Sequence, residues 1–489
     1  MELILLTFAV FGLVARFPAV HVVLFLIHAL VALRMAWRLV PRQPLSAAFI
    51  GAYVVMYFPD PVALMLGWIP GGAEDGPSIL YPSNVLLMVG LDLFILGARR
   101  LRITRRDANR MPQFQISHLP VDGCIALCFT ICAVTGTALT LGLAALNINV
   151  FTAPKTVMSL EGDYSSYYLA ANYAFLSLPL VVFLIGLKRP ALQPVYLFPV
   201  AFFLLFHFMV FRVRSSFVSV AVAYLVAVVA RAHLVRLGAR MPPGRLGAHI
   251  KLFLVASVPL LLFFVVGFKY ARHSYMIQDY RITEERVEKA VGTAFAGGDF
   301  GHAYYLRRAM ALYPQPQPYL LGQSYYRLLF VPVPRVLWPE KPEDTQRIFA
   351  RALDPKLGRR GTTIPPGVVG DLYINFGSFG VLGMVLWGFF FGMERYRRFS
   401  DLLFLAGAGW WLFHVVRGAV TVPLMFALAM WLAALFFQKI IRPVTLPPAA
   451  GLTLHGPAPR PRENRMREGV ALSAPPTAQV TVSASRRRG

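Results

Sequence analysis

The sequence predicts an all-α polytopic membrane protein with about 12 transmembrane helices and one large, partly helical loop on the non-cytoplasmic face. Of the 489 residues, 57% are hydrophobic and only 15% are charged. The hydrophobic residues fall in blocks of about 20, the length of helix that crosses a bilayer core of about 30 Å. Because each block is continuously apolar, it favours helices over the alternating strands of an outer-membrane barrel.

The individual helices are predicted from these blocks and from the Gly, Pro and charged residues that interrupt them. They lie at 3–16, 18–37, 45–62, 80–98, 123–145, 166–187, 192–211, 216–232, 249–268, 370–393, 400–416 and 420–438. The first block has no Lys- or Arg-rich start and no small-residue cleavage site. We therefore interpret it as a retained helix and not as a signal peptide.

The predicted domains follow from this pattern. They are transmembrane helices 1–9 over 1–268, the large periplasmic loop over 269–369, helices 10–12 over 370–440, and a cytoplasmic tail over 441–489. The tail is rich in Pro, Ala and Arg without periodic apolar residues, which predicts disorder. Inside the loop, helices are predicted over 280–294 and 300–312. The aromatic run 319–331 is predicted to lie in the membrane interface or to re-enter the membrane.

The distribution of charge predicts the orientation. Arg-rich segments follow the fourth, eighth and tenth predicted helices, and the formal net charge is +25. These segments fall on one side, which the positive-inside rule makes cytoplasmic together with both termini. The loop lies on the opposite face, and its basicity is not set by this rule, which applies to loops shorter than about 60 residues. With no nucleic-acid-binding module visible, nucleic acid is not expected as a partner.

Neither a metal nor a cofactor is predicted. Cys124, Cys128 and Cys132 lie on one face of one predicted helix, where small packing residues are expected. The sequence contains no Walker loop, hydrolase triad, HExxH motif or carboxylate cluster suited to Mg²⁺ or Ca²⁺. Asp92 is the main carboxylate in a predicted span, whereas a proton-coupled transporter usually has more.

Cationic residues on the non-cytoplasmic side indicate an anion site, because the planar guanidinium binds two phosphate oxygens and stays protonated. They come from the turn at 212–216, from the loop, and from Arg417-Gly418 with His414 one turn earlier. The candidates are Arg212, Arg214, Arg272, His273, His302, Arg307, Arg308, Arg327, Arg335, Lys341 and Arg417. Individually, each cation is also compatible with contacts to lipid phosphates or water, and each histidine with a packing role.

Two segments carry a resemblance to a known family. Residues 333–342 read VPRVLWPEKP, and residues 365–377 read PPGVVGDLYINFG, followed by Gly380. Both resemble bacterial oligosaccharide repeat unit polymerases, the Wzy-type O-antigen polymerase family. The turns at 212–216 and at Arg417-Gly418 match the general pattern of that family, and Asp371 stands where it has an acidic residue.

The resemblance implies metal-independent glycosyl transfer on the periplasmic face of the bacterial inner membrane, between glycans linked to undecaprenyl pyrophosphate. It implies catalytic roles for His302, Asp371 and His273, with pyrophosphate binding by Arg212, Arg214, Arg272, Arg335 and Arg417. Trp338, Tyr325 and Tyr326 are candidates to stack on sugars, or they form an aromatic belt. Expected partners are lipid-linked glycans, membrane lipids and a chain-length regulator protein. An O-antigen ligase, a flippase and a structural assembly protein are the competing interpretations.

Overall fold

The computed structural model describes part of the chain, all of it within the compact unit Met1–Val444. The described residues are 5–6, 17–40, 43–69, 76–100, 121–145, 175, 177–188, 194–211, 215–236, 283–284, 301–330, 338, 340, 342–356, 363–394 and 399–418. The predicted helices at 249–268 and 420–438 and the tail 441–489 lie outside them, as do nearly all of 3–16 and 280–294.

The described residues form α-helices, two 3₁₀-helices and irregular segments, without any strand. The α-helices are α1 (Pro18–Leu39), α2 (Pro44–Tyr57), α3 (Pro59–Met65), α4 (Pro77–Arg100), α5 (Val121–Ala145), α6 (Ser177–Lys188), α7 (Pro194–Phe211), α8 (Ser215–Arg236), α9 (His302–Leu312), α10 (Gln323–Tyr326), α11 (Thr345–Leu353), α12 (Val368–Phe376), α13 (Gly383–Gly392) and α14 (Phe399–Val416). The 3₁₀-helices are Arg327–Phe330 and Gly377–Leu382.

Five helical segments in the described part are long and apolar enough to cross a membrane. They are Pro18–Leu39, Pro44–Met65, Pro77–Arg99, Ile125–Gly142 and Val368–Gly392. The helical fold is therefore confirmed over the described residues, and these apolar helices indicate a membrane-embedded protein. The total of about 12 spans, the large periplasmic loop and the inner-membrane orientation stay predictions.

Glycines bring α4 and α13 into direct backbone contact. A Cβ atom at Gly388 would lie 2.1 Å from the Phe94 carbonyl oxygen, and one at Gly97 would lie 2.2 Å from the Val385 carbonyl oxygen. Gly392 lies against Ala98 at the end of both helices. Small residues at such a crossing let two membrane helices gain van der Waals contact without a hydrophobic driving force. Among the described residues, this is the most extensive contact between two helices.

A buried carboxylate ties a third helix to this pair. Glu394, which directly follows α13, accepts hydrogen bonds from the backbone N–H groups of Leu45 and Ser46 at 2.8 and 3.0 Å. These N–H groups lie in the first turn of α2, where they have no partner within the helix. The negative charge also complements the positive end of the helix dipole. The start of α2 and the ends of α4 and α13 therefore meet at one end of the bundle.

The stretch predicted as one helix over 370–393 is helical, but it is divided into α12, a 3₁₀-helix and α13. α12 ends at Phe376, Gly377 adopts a φ of 63°, and the chain turns back on itself. A Cβ atom at Gly380 would lie 2.2 Å from the Leu372 carbonyl oxygen, although eight residues of straight helix are about 12 Å long. A Cβ atom at Gly90 would touch the side chains of both Val369 and Val381. Apolar composition continues through the reversal, which is why hydropathy did not reveal it.

Segments between α8 and α12 pack onto the bundle. The helix predicted over 300–312 is present as α9, which packs against α3, α4 and α12. The chain after α9 then caps the end of α12: the backbone N–H groups of Leu320 and Leu321 donate to the carbonyl oxygens of Ile374 and Asn375. Bonding of this kind satisfies the last carbonyls of a helix. α12 is thereby enclosed by α9 on one side and by the segment after α9 at its end.

Candidate functional site

The site centres on the carboxylate of Asp371, which lies in the first turn of α12 and is only 3% exposed. The hydroxyl of Tyr325, on α10, donates a short hydrogen bond to this carboxylate. The hydroxyl of Thr345, the first residue of α11, also hydrogen-bonds to it. Two segments that lie far apart in sequence from α12 therefore hold the same acid.

An ion pair connects those two segments. Arg327, directly after α10, lies 3.0 Å from the carboxylate of Asp344, and both side chains are largely buried. Asp344 is also the N-cap of α11, where its second oxygen accepts from the backbone N–H of Arg347 at 2.8 Å. Such a cap is a preferred use of aspartate. The pair holds α10 against the start of α11 over Asp371.

The start of α12 is held by Tyr57 of α2. The Tyr57 hydroxyl accepts from the backbone N–H of Val368 at 2.6 Å and donates to the carbonyl oxygen of Val416 at 2.6 Å. A tyrosine thus replaces the usual N-cap side chain, which is absent at Gly367. The arrangement joins the ends of α2 and α14 to the turn that carries Asp371.

Arg417 reaches the same turn through its backbone. The Gly367 N–H donates to the Arg417 carbonyl oxygen at 2.9 Å. Gly367 and Gly418 have φ values of 83° and 81°, and a Cβ atom at Gly418 would lie 2.4 Å from the Gly367 carbonyl oxygen. Glycine is needed at 418 for both the positive φ and the close approach. The predicted Arg-Gly motif therefore sits beside the N-terminus of α12.

His302 lies close to Tyr57, the residue that holds this turn. It is buried at the start of α9, and the centre of its ring lies 5.6 Å from that of Tyr57. A Cβ atom at Gly370 would lie 3.9 Å from the Cα of Leu306, so α9 and α12 are in close contact. His302 is therefore connected to Asp371 through the packing of α9 against α12.

One turn further along α9, Arg307 forms a buried ion pair with Asp60. The Arg307 Nη1 atom lies 2.7 Å from Asp60 Oδ2, and the side chains are 1% and 0% exposed. Asp60 lies in the first turn of α3 between Pro59 and Pro61. A buried charge needs a close partner because desolvation of an isolated ion costs several kcal/mol. The ion pair holds α9 against α3, which belongs to the apolar segment Pro44–Met65.

Aromatic side chains line the more exposed side of the site. The ring of Tyr325 stacks on Phe376 at 5.9 Å, while Tyr326 is 52% exposed. Phe330 lies 4.9 Å from the Tyr326 ring and 5.1 Å from the half-buried Trp338 ring. Tyr325 and Phe376 form a stacked pair at Asp371, and Tyr326, Phe330 and Trp338 form a second aromatic group that begins at the next residue of the chain.

This arrangement changes the pKa of the Tyr325 hydroxyl. Burial raises the pKa of the Tyr325 hydroxyl well above its usual value, and the nearby charge of Asp371 raises it further. The phenol therefore stays protonated and remains a hydrogen-bond donor to the carboxylate. Among the described residues, no group of His, Cys, Asp and Glu side chains is arranged to hold a metal ion.

The structure describes six of the predicted site residues, which come from α9, α10, the segment before α11, α12 and the end of α14. They are His302, Asp371, Arg417, Tyr325, Tyr326 and Trp338. The other five lie outside the described residues, so their predicted roles remain predictions. They are His273, Arg212, Arg214, Arg272 and Arg335.

Sequence reasoning missed several residues that build the site. No sequence pattern pointed to Tyr57 or Thr345 as site residues. Arg327 was predicted only as one of the cations of the loop, and Asp344 had no signal other than its suitability as a helix N-cap. Asp60 did have a signal, since a carboxylate between two prolines in an apolar block requires a partner. The identity of that partner was not readable from the sequence.

No protein-family profile, curated protein or solved structure matches this chain.

Proposed function

We propose that this chain polymerises oligosaccharide repeat units linked to undecaprenyl pyrophosphate, by metal-independent glycosyl transfer on the periplasmic face of the inner membrane. The observation that carries the proposal is the setting of Asp371. A buried carboxylate is bonded to Tyr325, at the edge of an aromatic group, in a protein rich in apolar helices. This combination suits a sugar hydroxyl that must be activated beside a lipid-linked donor.

The chemistry assigns a role to each part of the site. Asp371 is the general base that takes the proton of the acceptor hydroxyl, with the buried His302 as the second candidate and His273 as the reserve. Tyr326 and Trp338 present aromatic faces on which sugar rings stack. The pyrophosphate leaving group needs fixed cations in a water-poor site, a role we assign to Arg417 with Arg212, Arg214, Arg272 and Arg335. The product is O-antigen, capsule or exopolysaccharide.

The test is complementation of a deletion strain. The gene is deleted in its host, the surface glycan is separated by size, and rescue is compared between wild type, Asp371→Asn and Arg417→Ala. Asp354→Asn and Arg351→Ala serve as matched controls, because they remove the same charges at α11, away from Asp371. Membrane levels of every variant are measured by immunoblot.

Polymerisation predicts single repeat units on lipid A, or accumulating lipid-linked single units, in the deletion strain. The controls restore long chains, and the two site variants do not, although all four reach the membrane. Long polymers left on undecaprenyl pyrophosphate would instead identify a ligase. Single units confined to the cytoplasmic leaflet would identify a flippase, and either result overturns the proposal.

A further inference from the structure

We propose that the Tyr325 hydroxyl relays the proton of the acceptor sugar to Asp371, so that Tyr325 is a catalytic residue and not only a surface for stacking. This inference rests on the proposed glycosyl transfer and deepens it. It follows from a contrast in exposure within one hydrogen-bonded pair. Asp371 is 3% exposed, whereas Tyr325 is half-buried and is followed in α10 by Tyr326, which is 52% exposed.

The surroundings of Asp371 leave little room for a sugar to contact it directly. Its carboxylate is hydrogen-bonded to Tyr325 and to Thr345, and the Arg327–Asp344 ion pair joins the two segments that supply these side chains. The backbone carbonyl of Asp371 is occupied by the side-chain amide of Asn375 at 2.8 Å. We expect an acceptor held by Tyr326 to reach Tyr325, which is half-buried, before it reaches the carboxylate, which is 3% exposed.

The hydroxyl group of tyrosine has the chemistry that a relay requires. It donates one hydrogen bond, here to Asp371, and its oxygen can accept another from an incoming hydroxyl. The raised pKa of Tyr325 disfavours a free tyrosinate, so the phenol loses its proton only while it receives another. The ring is fixed by stacking on Phe376, which keeps the oxygen pointed at the acid.

The step balances as follows. The acceptor O–H proton passes to the Tyr325 oxygen while the Tyr325 proton passes to the Asp371 carboxylate. The acceptor oxygen forms a bond to C1 of the donor glycan, and the bond between C1 and the pyrophosphate oxygen breaks. That electron pair leaves on undecaprenyl pyrophosphate. Asp371 later returns its proton through Tyr325 to water.

The experiment uses the full chain in proteoliposomes, with lipid-linked repeat units isolated from the deletion strain as the substrate. Initial rates of chain elongation give kcat and KM for wild type, Tyr325→Phe, Asp371→Asn and the double variant. Tyr319→Phe is the matched control, because it removes a hydroxyl from the same segment, where it contacts Tyr373 at 3.4 Å. Thr345→Val removes the other hydrogen bond to Asp371 without removing the relay.

A relay predicts that Tyr325→Phe lowers kcat by about 10²–10⁴-fold at unchanged KM, the range for loss of a general acid–base group. The double variant is no slower than Asp371→Asn, because both residues act in one proton transfer. Thr345→Val loses about fivefold, the effect of one ordinary hydrogen bond. Tyr319→Phe elongates chains at the wild-type rate.

Three results would overturn the relay while leaving the polymerase intact. They are a Tyr325→Phe rate within fivefold of wild type, a raised KM at unchanged kcat, or equal losses for Tyr325→Phe and Thr345→Val. If Tyr325→Phe unfolds, ring-fluorinated tyrosines at 325 replace it, and a rate independent of phenol acidity refutes the relay. If the wild-type protein does not elongate the substrate, the proposed function itself fails.

Discussion

The buried ion pair between Asp60 and Arg307 makes the sharpest prediction about stability. Both side chains are at most 1% exposed, and their charged atoms lie 2.7 Å apart. Removal of one partner takes the nearest opposite charge away from a buried ion, which costs about 3–5 kcal/mol. Because the pair joins α9 to α3, this cost falls on the docking of α9. A loss of that size raises the undocked population by about 150- to 5,000-fold.

The assay measures access to a buried position on α9. Ala309 is fully buried, so Ala309→Cys is labelled by a maleimide only when α9 leaves the bundle. The three native cysteines are first replaced by serine or alanine. Labelling rates are then compared for Asp60→Asn, Arg307→Met and the double variant. Arg351→Ala is the control, because it breaks an ion pair with Glu343 that is largely exposed and contributes about 0–1 kcal/mol.

Each single variant should be labelled far faster than the parent, and the double variant should recover part of the protection, because no charge is then left unpaired. The control should be labelled at the parent rate. An unchanged labelling rate in Arg307→Met would refute the proposed role of the ion pair. So would a double variant whose change in the free energy of undocking equals the sum of the changes in the two single variants. Additivity would mean that the two residues do not interact energetically.

Three further predictions concern packing, capping and pH. Gly388→Ala places a Cβ atom 2.1 Å from the Phe94 carbonyl oxygen and should lower the unfolding temperature, whereas Gly51→Ala, with nothing within 4 Å, should not. Tyr57→Phe leaves a buried N–H and a buried C=O without their partner and should cost about 1–3 kcal/mol in thermal unfolding. Burial raises the pKa of Tyr313 to about 12, above its unfolded value of about 10. Its stabilising effect is therefore complete below pH 10 and is lost as pH rises from about 10 to about 12, and Tyr313→Phe should flatten that decline.

The helices were largely predictable because their signals are local. α1, α2 and α7 begin at Pro18, Pro44 and Pro194, each within two residues of the predicted start. Proline favours the first turn, where its missing N–H costs nothing. Helix length follows from the apolar blocks in the same way. The surface helix α11 was missed because it has no apolar block, although Asp344 gives it an N-cap.

The site was predictable only in part. Asp371 was predicted because the segment 365–377 resembles the polymerase family. Nothing in the chemistry of that segment indicated that Tyr325 would be the partner of Asp371. The Asp60–Arg307 pair joins residues 247 positions apart, and its selection depends on how α3 and α9 pack. Periodicity and charge patterns report which face of a helix is buried, but they contain no information on which side chain lies opposite.

The reversal after α12 changes how this stretch should be counted. Mean hydropathy depends on composition and does not change where the chain reverses its direction. The 25 residues of Val368–Gly392 therefore have the length and hydropathy of one membrane crossing. The part after Gly377 packs along α4, whereas α12 meets α4 at Gly90 and holds an acid inside the protein. One extra helical turn inserted into α12 would therefore displace Asp371 while reporter fusions at either end still recorded the same topology. The length of this stretch is therefore related to the placement of the Asp371 carboxylate, and it does not measure the thickness of the bilayer.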